Sequence, residues 1–120
     1  MPDAPDVPVP LAIVNGRVWT NDPRRPWAEA VLVRGERIIA VGSSAELRKR
    51  AGADVRIVDA RGRLVLASRA DDVLAPGATA SLVIVEREST GVPRMPTDAT
   101  AVVFSLVDGR IELDRDSLAH

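Results

Sequence analysis

The sequence has no cysteine and a single histidine, His120, which is its last residue. The missing cysteine excludes disulfide bonds, thiolate metal ligands and cysteine nucleophiles. A terminal imidazole is expected to be a frayed end, and a first-row metal normally needs several nitrogen or sulfur donors. We therefore predict no metal site, no bound cofactor and no catalytic residue in this chain.

Aromatic residues, basic blocks and long apolar runs are also scarce. Trp19, Trp27 and Phe104 make up the 2% aromatic content, so the core must be aliphatic. Sixteen basic and seventeen acidic residues give a net charge of -1 without a basic block, which argues against a nucleic-acid partner. No apolar run is long enough to span a bilayer. The opening ten residues resemble no signal peptide, so we predict a cytoplasmic protein without a membrane partner.

The length of 120 residues indicates one domain. Residues 1–10 hold four prolines and should form a disordered or extended arm. We expect a single domain over residues 11–116 and a frayed tail over residues 117–120. Within the domain, we separate an N-terminal half (11–66), a junction (67–75) and a C-terminal half (76–116).

Short β-type runs separated by turn residues dominate the domain. Xaa-Gly turns between such runs indicate hairpins, because these turns need positive φ. The sequence predicts four hairpins, with turns at Asn15-Gly16, Gly35-Glu36, Asp59–Gly62 and Asp108-Gly109. A further strand is expected at Ser81–Val85, and a loop from Glu88 to Ala99.

One segment, from Ser43 to Gly52, has the signals of a helix. Ser43 and Glu46 stand at capping-box spacing, cations fill the last turn, and Gly52 can end the helix. About eight strands and one short helix predict a mainly β fold, an antiparallel β-sandwich or barrel-like domain.

The order of these pieces resembles a known family. Between Ile13 and Leu66 the chain contains three strand segments, the helix and a fourth strand segment, in that order. The first three segments are Val-Asn-Gly-Arg-Val, Ala-Glu-Ala-Val and Gly-Glu-Arg-Ile-Ile-Ala-Val-Gly, and the fourth is Val-Asp-Ala-Arg-Gly-Arg-Leu-Val-Leu. This is similar to the N-terminal part of the β-sandwich (composite) domain of the metal-dependent amidohydrolase superfamily. Residues 20–23 and 26–30 resemble its family 3 subgroup, which includes N-substituted formamide deformylases.

The resemblance implies a catalytic TIM barrel inserted after Leu66, with divalent metals held by barrel residues. Here only the junction separates Leu66 from the segment Ala75–Val85, which resembles the return of the chain into the sandwich. The resemblance therefore covers Leu11 to Asp116 and lacks the barrel. The His-x-His metal motif is absent, Lys49 lies on the helix, and Ser81 replaces the usual aspartate of the return segment, so no catalytic or metal-binding residue carries over.

Several polar residues have two readings. Asp71-Asp72 is either a cation site or a solvated acidic turn, and the turn is favoured because a cation needs further oxygen ligands. Arg24-Arg25 either contacts an anion or partner or lies in a solvated loop, which we favour. Asp114–Asp116 reads as an exposed charged tail. Ser68 and Ser81 have no histidine base, which excludes a serine nucleophile.

Trp19 and Trp27 leave two alternatives open. They either pack at the end of the sandwich, with each indole N–H bonded to a loop carbonyl, or form part of a partner-binding patch, where tryptophan is frequent.

Taken together, the sequence favours a stand-alone, non-catalytic module with a structural or interaction role, which does not hydrolyse amides alone. Loss of the barrel should expose apolar surface, and it should leave the strands Arg63–Leu66 and Ser81–Val85 as sheet edges. Both effects predict self-association as a homodimer.

The alternative is an accessory subunit of a metal-dependent hydrolase acting on non-peptide C–N bonds, completed by a separate barrel chain. A small-ligand module lacks a visible polar cluster to support it, and the unbroken hairpin pattern argues against a decayed gene.

Overall fold

A computed structural model describes residues 10–52, 54–69, 72–86, 101–115 and 117–119. Its strands are β1 (Leu11–Val14), β2 (Arg17–Trp19), β3 (Trp27–Ala28), β4 (Ala30–Arg34), β5 (Arg37–Gly42), β6 (Arg56–Asp59), β7 (Leu64–Ala67), β8 (Leu82–Val85), β9 (Val102–Val107) and β10 (Arg110–Asp114). The helix α1 (Ser44–Ala51) lies between β5 and β6. The loop predicted at Glu88–Ala99 and the arm at residues 1–9 lie outside the described residues.

The strands form two sheets that face each other. The four-stranded sheet has the order β5-β4-β1-β6, and the six-stranded sheet has the order β10-β9-β8-β7-β2-β3. Side chains from both sheets meet in one aliphatic core around Phe104. The helix packs through Leu47 on the other face of the four-stranded sheet. The prediction of a mainly β, sandwich-like domain with one short helix is confirmed.

Two of the four predicted hairpins are wrong. The turns at Asn15-Gly16 and Asp59–Gly62 each carry the chain from one sheet to the other, so β1 pairs in parallel with β6, and β2 pairs in parallel with β7. The two crossings lie against each other. The N–H of Gly62 donates to the carbonyl of Asn15 at 2.6 Å, and the N–H of Arg17 donates to the carbonyl of Arg63 at 2.9 Å. Both sheets are therefore mixed rather than wholly antiparallel.

The other two hairpins and the helix are confirmed. Gly35-Glu36 joins β4 to β5, and Asp108-Gly109 joins β9 to β10. Asp108 and Gly109 both have positive φ, 49° and 80°, as a type I′ turn requires. At the start of α1, the N–H of Glu46 donates to Oγ of Ser43 at 3.1 Å, which satisfies one of the free N–H groups of the first turn.

Strand β7 is hydrogen-bonded to β2 on one side and β8 on the other, while β8 lies between β7 and β9. The expectation that Arg63–Leu66 and Ser81–Val85 are sheet edges is therefore wrong, because each strand has a partner on both sides. The edges of this sheet are β3 and β10. Residues before and after the junction thus share one sheet, and they also share one core.

The end of the chain is also more ordered than expected. Leu118 is fully buried in the main core, and Ala119 forms a β-bridge with Val58. The N–H of Asp59 donates to the carbonyl of Leu118 at 3.0 Å. The predicted frayed tail is wrong at these two positions, because an aliphatic side chain this close to the open edge of β6 gains burial there. His120 lies outside the described residues.

Candidate functional site

The junction and the residues that lead from it to β8 stand where the resemblance implies a barrel, and this segment is attached to the sandwich at several points. The N–H of Gly77 donates to the carbonyl of Ile38 at 2.7 Å, and the N–H of Ile38 donates to the carbonyl of Ala78 at 2.9 Å. The side chain of Leu74 is fully buried in the main core. The segment after β7 therefore continues the edge of the four-stranded sheet before the chain enters β8.

The loop between β2 and β3, residues 20–26, contacts this same segment. The N–H of Leu74 donates to the carbonyl of Thr20 at 2.8 Å, and Oγ1 of Thr20 donates to the carbonyl of Arg25. Nε of Arg24 lies 3.5 Å from a carboxylate oxygen of Asp22, with the arginine side chain almost fully exposed. Arg25 reaches the carbonyl of Val41 at 3.5 Å. Both arginines are exposed, and Arg25 in addition contacts β5 through the carbonyl of Val41.

The acidic and hydroxyl residues singled out in the sequence have structural contacts. The N–H of Asp108 donates to Oγ of Ser81 at 3.1 Å, so Ser81 links the start of β8 to the turn between β9 and β10. The carboxylate of Asp114 accepts the N–H groups of Leu118 at 2.7 Å and Ala119 at 3.0 Å. Asp114 is therefore only partly exposed and holds the buried end of the chain, which corrects its assignment to an exposed tail.

Of the predicted acidic pair, Asp72 is exposed, and its carbonyl accepts a hydrogen bond from the side chain of Asn21 at 3.3 Å. Asp71 and Asp116 lie outside the described residues. Across the part of the chain that the structure describes, no group of three or more histidine, cysteine, aspartate or glutamate side chains is close enough to hold a metal ion. The helix described is neither long nor apolar enough to cross a membrane.

The two tryptophans contact each other at the β2–β3 edge of the six-stranded sheet. They are paired across the two strands, with ring centroids 5.1 Å apart and ring planes at 59°. The guanidinium of Arg17 lies 5.0 Å from the centroid of the Trp27 ring, a cation–π geometry. Trp19 packs on the outer apolar cluster of its sheet (Leu64, Leu66, Val83 and Val85), whereas 42% of Trp27 is exposed. The ring of Trp19 therefore packs on its own sheet, whereas the ring of Trp27 is largely open to solvent.

Arg17 was not singled out from the sequence, although a signal for it exists. Residues two apart on a strand point to the same face of a sheet, so Arg17 and Trp19 had to lie on one face. The pairing of β2 with β3 then brings Trp27 beside both. This pairing depends on a contact across a seven-residue loop, which strand periodicity alone does not reveal.

Comparison with known proteins adds to this geometry. Residues 30–52, which form β4, β5 and α1, match the family model of the bacterial imidazolonepropionase-like composite domain. A stretch of 56 residues, 47% of the chain, is 43% identical to N-substituted formamide deformylase of Arthrobacter pascens. The resemblance to the composite domain of amidohydrolases is confirmed. The chain spans only 10% of the length of that deformylase.

Two solved structures are also similar over 48% of the chain, and both are uncharacterized metal-dependent hydrolases. One, from Pyrococcus furiosus, has a TM-score of 0.40 with 23% sequence identity, and 13% of its length is covered. The other, from Pyrococcus horikoshii OT3, has a TM-score of 0.40 with 21% identity, and 12% of its length is covered.

Proposed function

We propose that this composite domain is a non-catalytic interaction module that folds without a barrel and binds a second copy of itself. The observation that carries the proposal is the direct antiparallel pairing of β7 with β8, from Leu64 opposite Val85 to Ala67 opposite Leu82. The strands before and after the junction are thus direct neighbours in the six-stranded sheet, with no gap between them. A domain closed in this way keeps its core without an inserted catalytic unit.

The composition supports a role other than hydrolysis. Amidohydrolases, as the resemblance implies, activate water on divalent metals held largely by histidines. This chain has one histidine and no cysteine, so its own side chains offer too few nitrogen and sulfur donors for such a centre. The activity of the deformylase is therefore not part of the function proposed for this chain.

The surface proposed for association is the tryptophan edge, which we define as Arg17, Trp19 and Trp27. Tryptophan and arginine are the residues most enriched at the energetic centres of protein interfaces. Trp27 combines a large exposed ring with a fixed orientation, because Trp19 supports it on one side and Arg17 lies over it. A ring held in this way loses little conformational entropy on binding. The strand β3 is only two residues long, so side chains rather than strand pairing would make this contact.

We expect the purified protein to have about twice the mass of the 12.8 kDa chain at tens of micromolar. Trp27→Ala should weaken self-association by about 2 kcal/mol or more, since truncating an interface tryptophan has effects of this size. Sedimentation equilibrium on both proteins measures the change.

Val107→Ala is the matched control, because Val107 is exposed to 41% and lies on β9, away from the tryptophan edge. It should leave the mass unchanged. A strictly monomeric wild-type protein contradicts self-association, and an equal effect of both variants contradicts the assignment of the surface.

A further inference from the structure

The Asn15-Gly16 turn, which carries the chain from β1 to β2, combines a structural role with a chemically reactive sequence. A glycine has no Cβ to hinder its backbone nitrogen, so this nitrogen can attack the side-chain carboxamide carbon of an asparagine that precedes it. The sequence has two asparagines, and Asn15 is the one that a glycine follows, whereas Asn21 precedes Asp22. Asn15 is exposed, so solvent reaches the reacting carboxamide.

The fold withholds the attacking nitrogen. The N–H of Gly16 donates to the carbonyl of Glu29 at 2.9 Å. Gly16 is buried, and a Cβ there would lie 3.1 Å from Cγ2 of Val65 and 3.2 Å from Cβ of Ala60. A nitrogen bonded and packed in this way is shielded from the water that must remove its proton, and it cannot turn toward the carboxamide. The reaction therefore requires the crossing to open first.

The carboxamide of Asn15 is itself part of the crossing. Its Nδ2 donates to Oδ1 of Asp59 at 3.3 Å, and the same oxygen accepts the N–H of Arg61 at 2.9 Å. The backbone N–H of Asn15 donates to Oγ of Ser44 at 2.8 Å, and its carbonyl accepts the N–H of Gly62. Asn15 thus joins the two crossings to each other and to the start of α1. A chemical change at this residue acts where the two sheets are connected.

We propose that Asn15 is a site of spontaneous deamidation, which the folded crossing suppresses and which weakens the crossing once it has occurred. The nitrogen of Gly16 bonds to Cγ of Asn15, the bond from Cγ to Nδ2 breaks, and ammonia leaves with the proton of the attacking nitrogen. Water then opens the five-membered imide to aspartate or isoaspartate. Aspartate puts a carboxylate where the amide donated to Asp59, and like charges so close repel. Isoaspartate adds a carbon to the main chain, which shifts the hydrogen bonds of the turn out of register.

Mass spectrometry of the whole chain, kept folded in mildly alkaline buffer or unfolded in guanidinium chloride, measures the protection. Cleavage by trypsin after Arg17 places Asn15 in one peptide, which locates the change. The folded chain should react at least about tenfold more slowly than the unfolded chain, because only the open fraction reacts. Equal rates overturn the protection, and an unmodified Asn15 in the unfolded chain overturns the site.

A pair of variants tests whether the contact with Asp59 keeps the crossing closed. Asp59→Ala removes the partner of the carboxamide, so the folded variant should deamidate faster than the folded wild type. Asp54→Ala is the matched control, because Asp54 is an exposed aspartate just before β6, and it should react at the wild-type rate. Equal rates for the two variants overturn the role of this contact in the protection.

The effect of the modification is tested by exchanging the two side chains. Asn15→Asp reproduces the aspartate product, and it should raise the unfolding equilibrium constant about fivefold or more. Adding Asp59→Asn restores one amide and one carboxylate in exchanged positions, so the double variant should regain most of the lost stability. Urea unfolding measures both. Wild-type stability of Asn15→Asp, or no recovery in the double variant, overturns the proposed repulsion, and the deamidation rates of the wild-type chain test the site even if Asn15→Asp does not fold.

Discussion

Replacing Phe104 by alanine should lower the free energy of unfolding by about 3–5 kcal/mol. Phe104 is the chain's one phenylalanine and is fully buried in the main core. It lies on β9 opposite Ile84 of β8, in the C-terminal half, yet it shares the core with Ile13 and Val31 of the N-terminal half. Small aliphatic side chains around it cannot fill the volume of an aromatic ring, so a cavity remains. Urea denaturation followed by circular dichroism measures the loss.

The control for this variant lies on the same strand. Val107→Ala removes an exposed aliphatic side chain from the end of β9, and it should change the free energy of unfolding by less than about 0.5 kcal/mol. Wild type and Phe104→Ala should each unfold in one transition, since both halves contribute to one core. Two separate transitions, or a loss similar to that of Val107→Ala, would contradict the shared core.

Gly109→Ala should be strongly destabilising for so small a substitution. Gly109 has a φ of 80°, a conformation that costs an alanine roughly 1–2 kcal/mol. Its new Cβ would also lie 1.8 Å from the carbonyl oxygen of Gly35, which is backbone and has no rotamer to change. The two turns must therefore separate, and we expect a total loss of at least about 3 kcal/mol. Thermal or urea unfolding of the purified variant measures it.

Gly62→Ala isolates the contribution of the close approach. Gly62 has nearly the same φ, 79°, but a Cβ there would meet nothing within 4 Å. This variant should lose only the conformational cost of roughly 1–2 kcal/mol. Equal losses for Gly62→Ala and Gly109→Ala would show that the turns at Gly35 and Gly109 do not approach as described.

Local patterns in the sequence predicted the elements well. The capping spacing of Ser43 and Glu46 predicted α1, and the positive-φ turn at Asp108-Gly109 predicted the last hairpin. The partners of some strands were less predictable. Asn15 and Arg61 also adopt positive φ, but the turns that contain them lead to the opposite sheet, because a turn residue sets the local bend and not the partner of the next strand.

A signal for the parallel pairing was nevertheless present. All four residues of β1, Leu11–Val14, are apolar and buried, as is typical of a strand covered on both faces. Such a strand needs a neighbour on each side and a covering layer, which β4, β6 and α1 provide. A two-stranded hairpin with β2 cannot supply that burial. The closure of the sheet by β7 and β8 likewise follows from Leu64–Ala67, whose four residues are all buried.

The candidate sites were harder to predict, because they depend on pairs of residues far apart in the sequence. Arg17 lies over the ring of Trp27 only because β2 pairs with β3. The sequence singles out Trp19 and Trp27, but it does not show which of the two rings is exposed. Trp27 is the exposed ring, because Trp19 packs on the outer apolar cluster. Sequence spacing identifies which residues share a face of one strand, whereas these sites combine residues from different strands and turns.

The pairing of β7 with β8 is the most direct test of the account, because it closes the sandwich where the resemblance implies a barrel. Nuclear Overhauser effects between backbone protons of facing residues measure it in solution. The account predicts cross-strand contacts between Val65 and Ile84, and between Leu66 and Val83. Resolved resonances for all four residues without these contacts would contradict a sandwich that closes on itself.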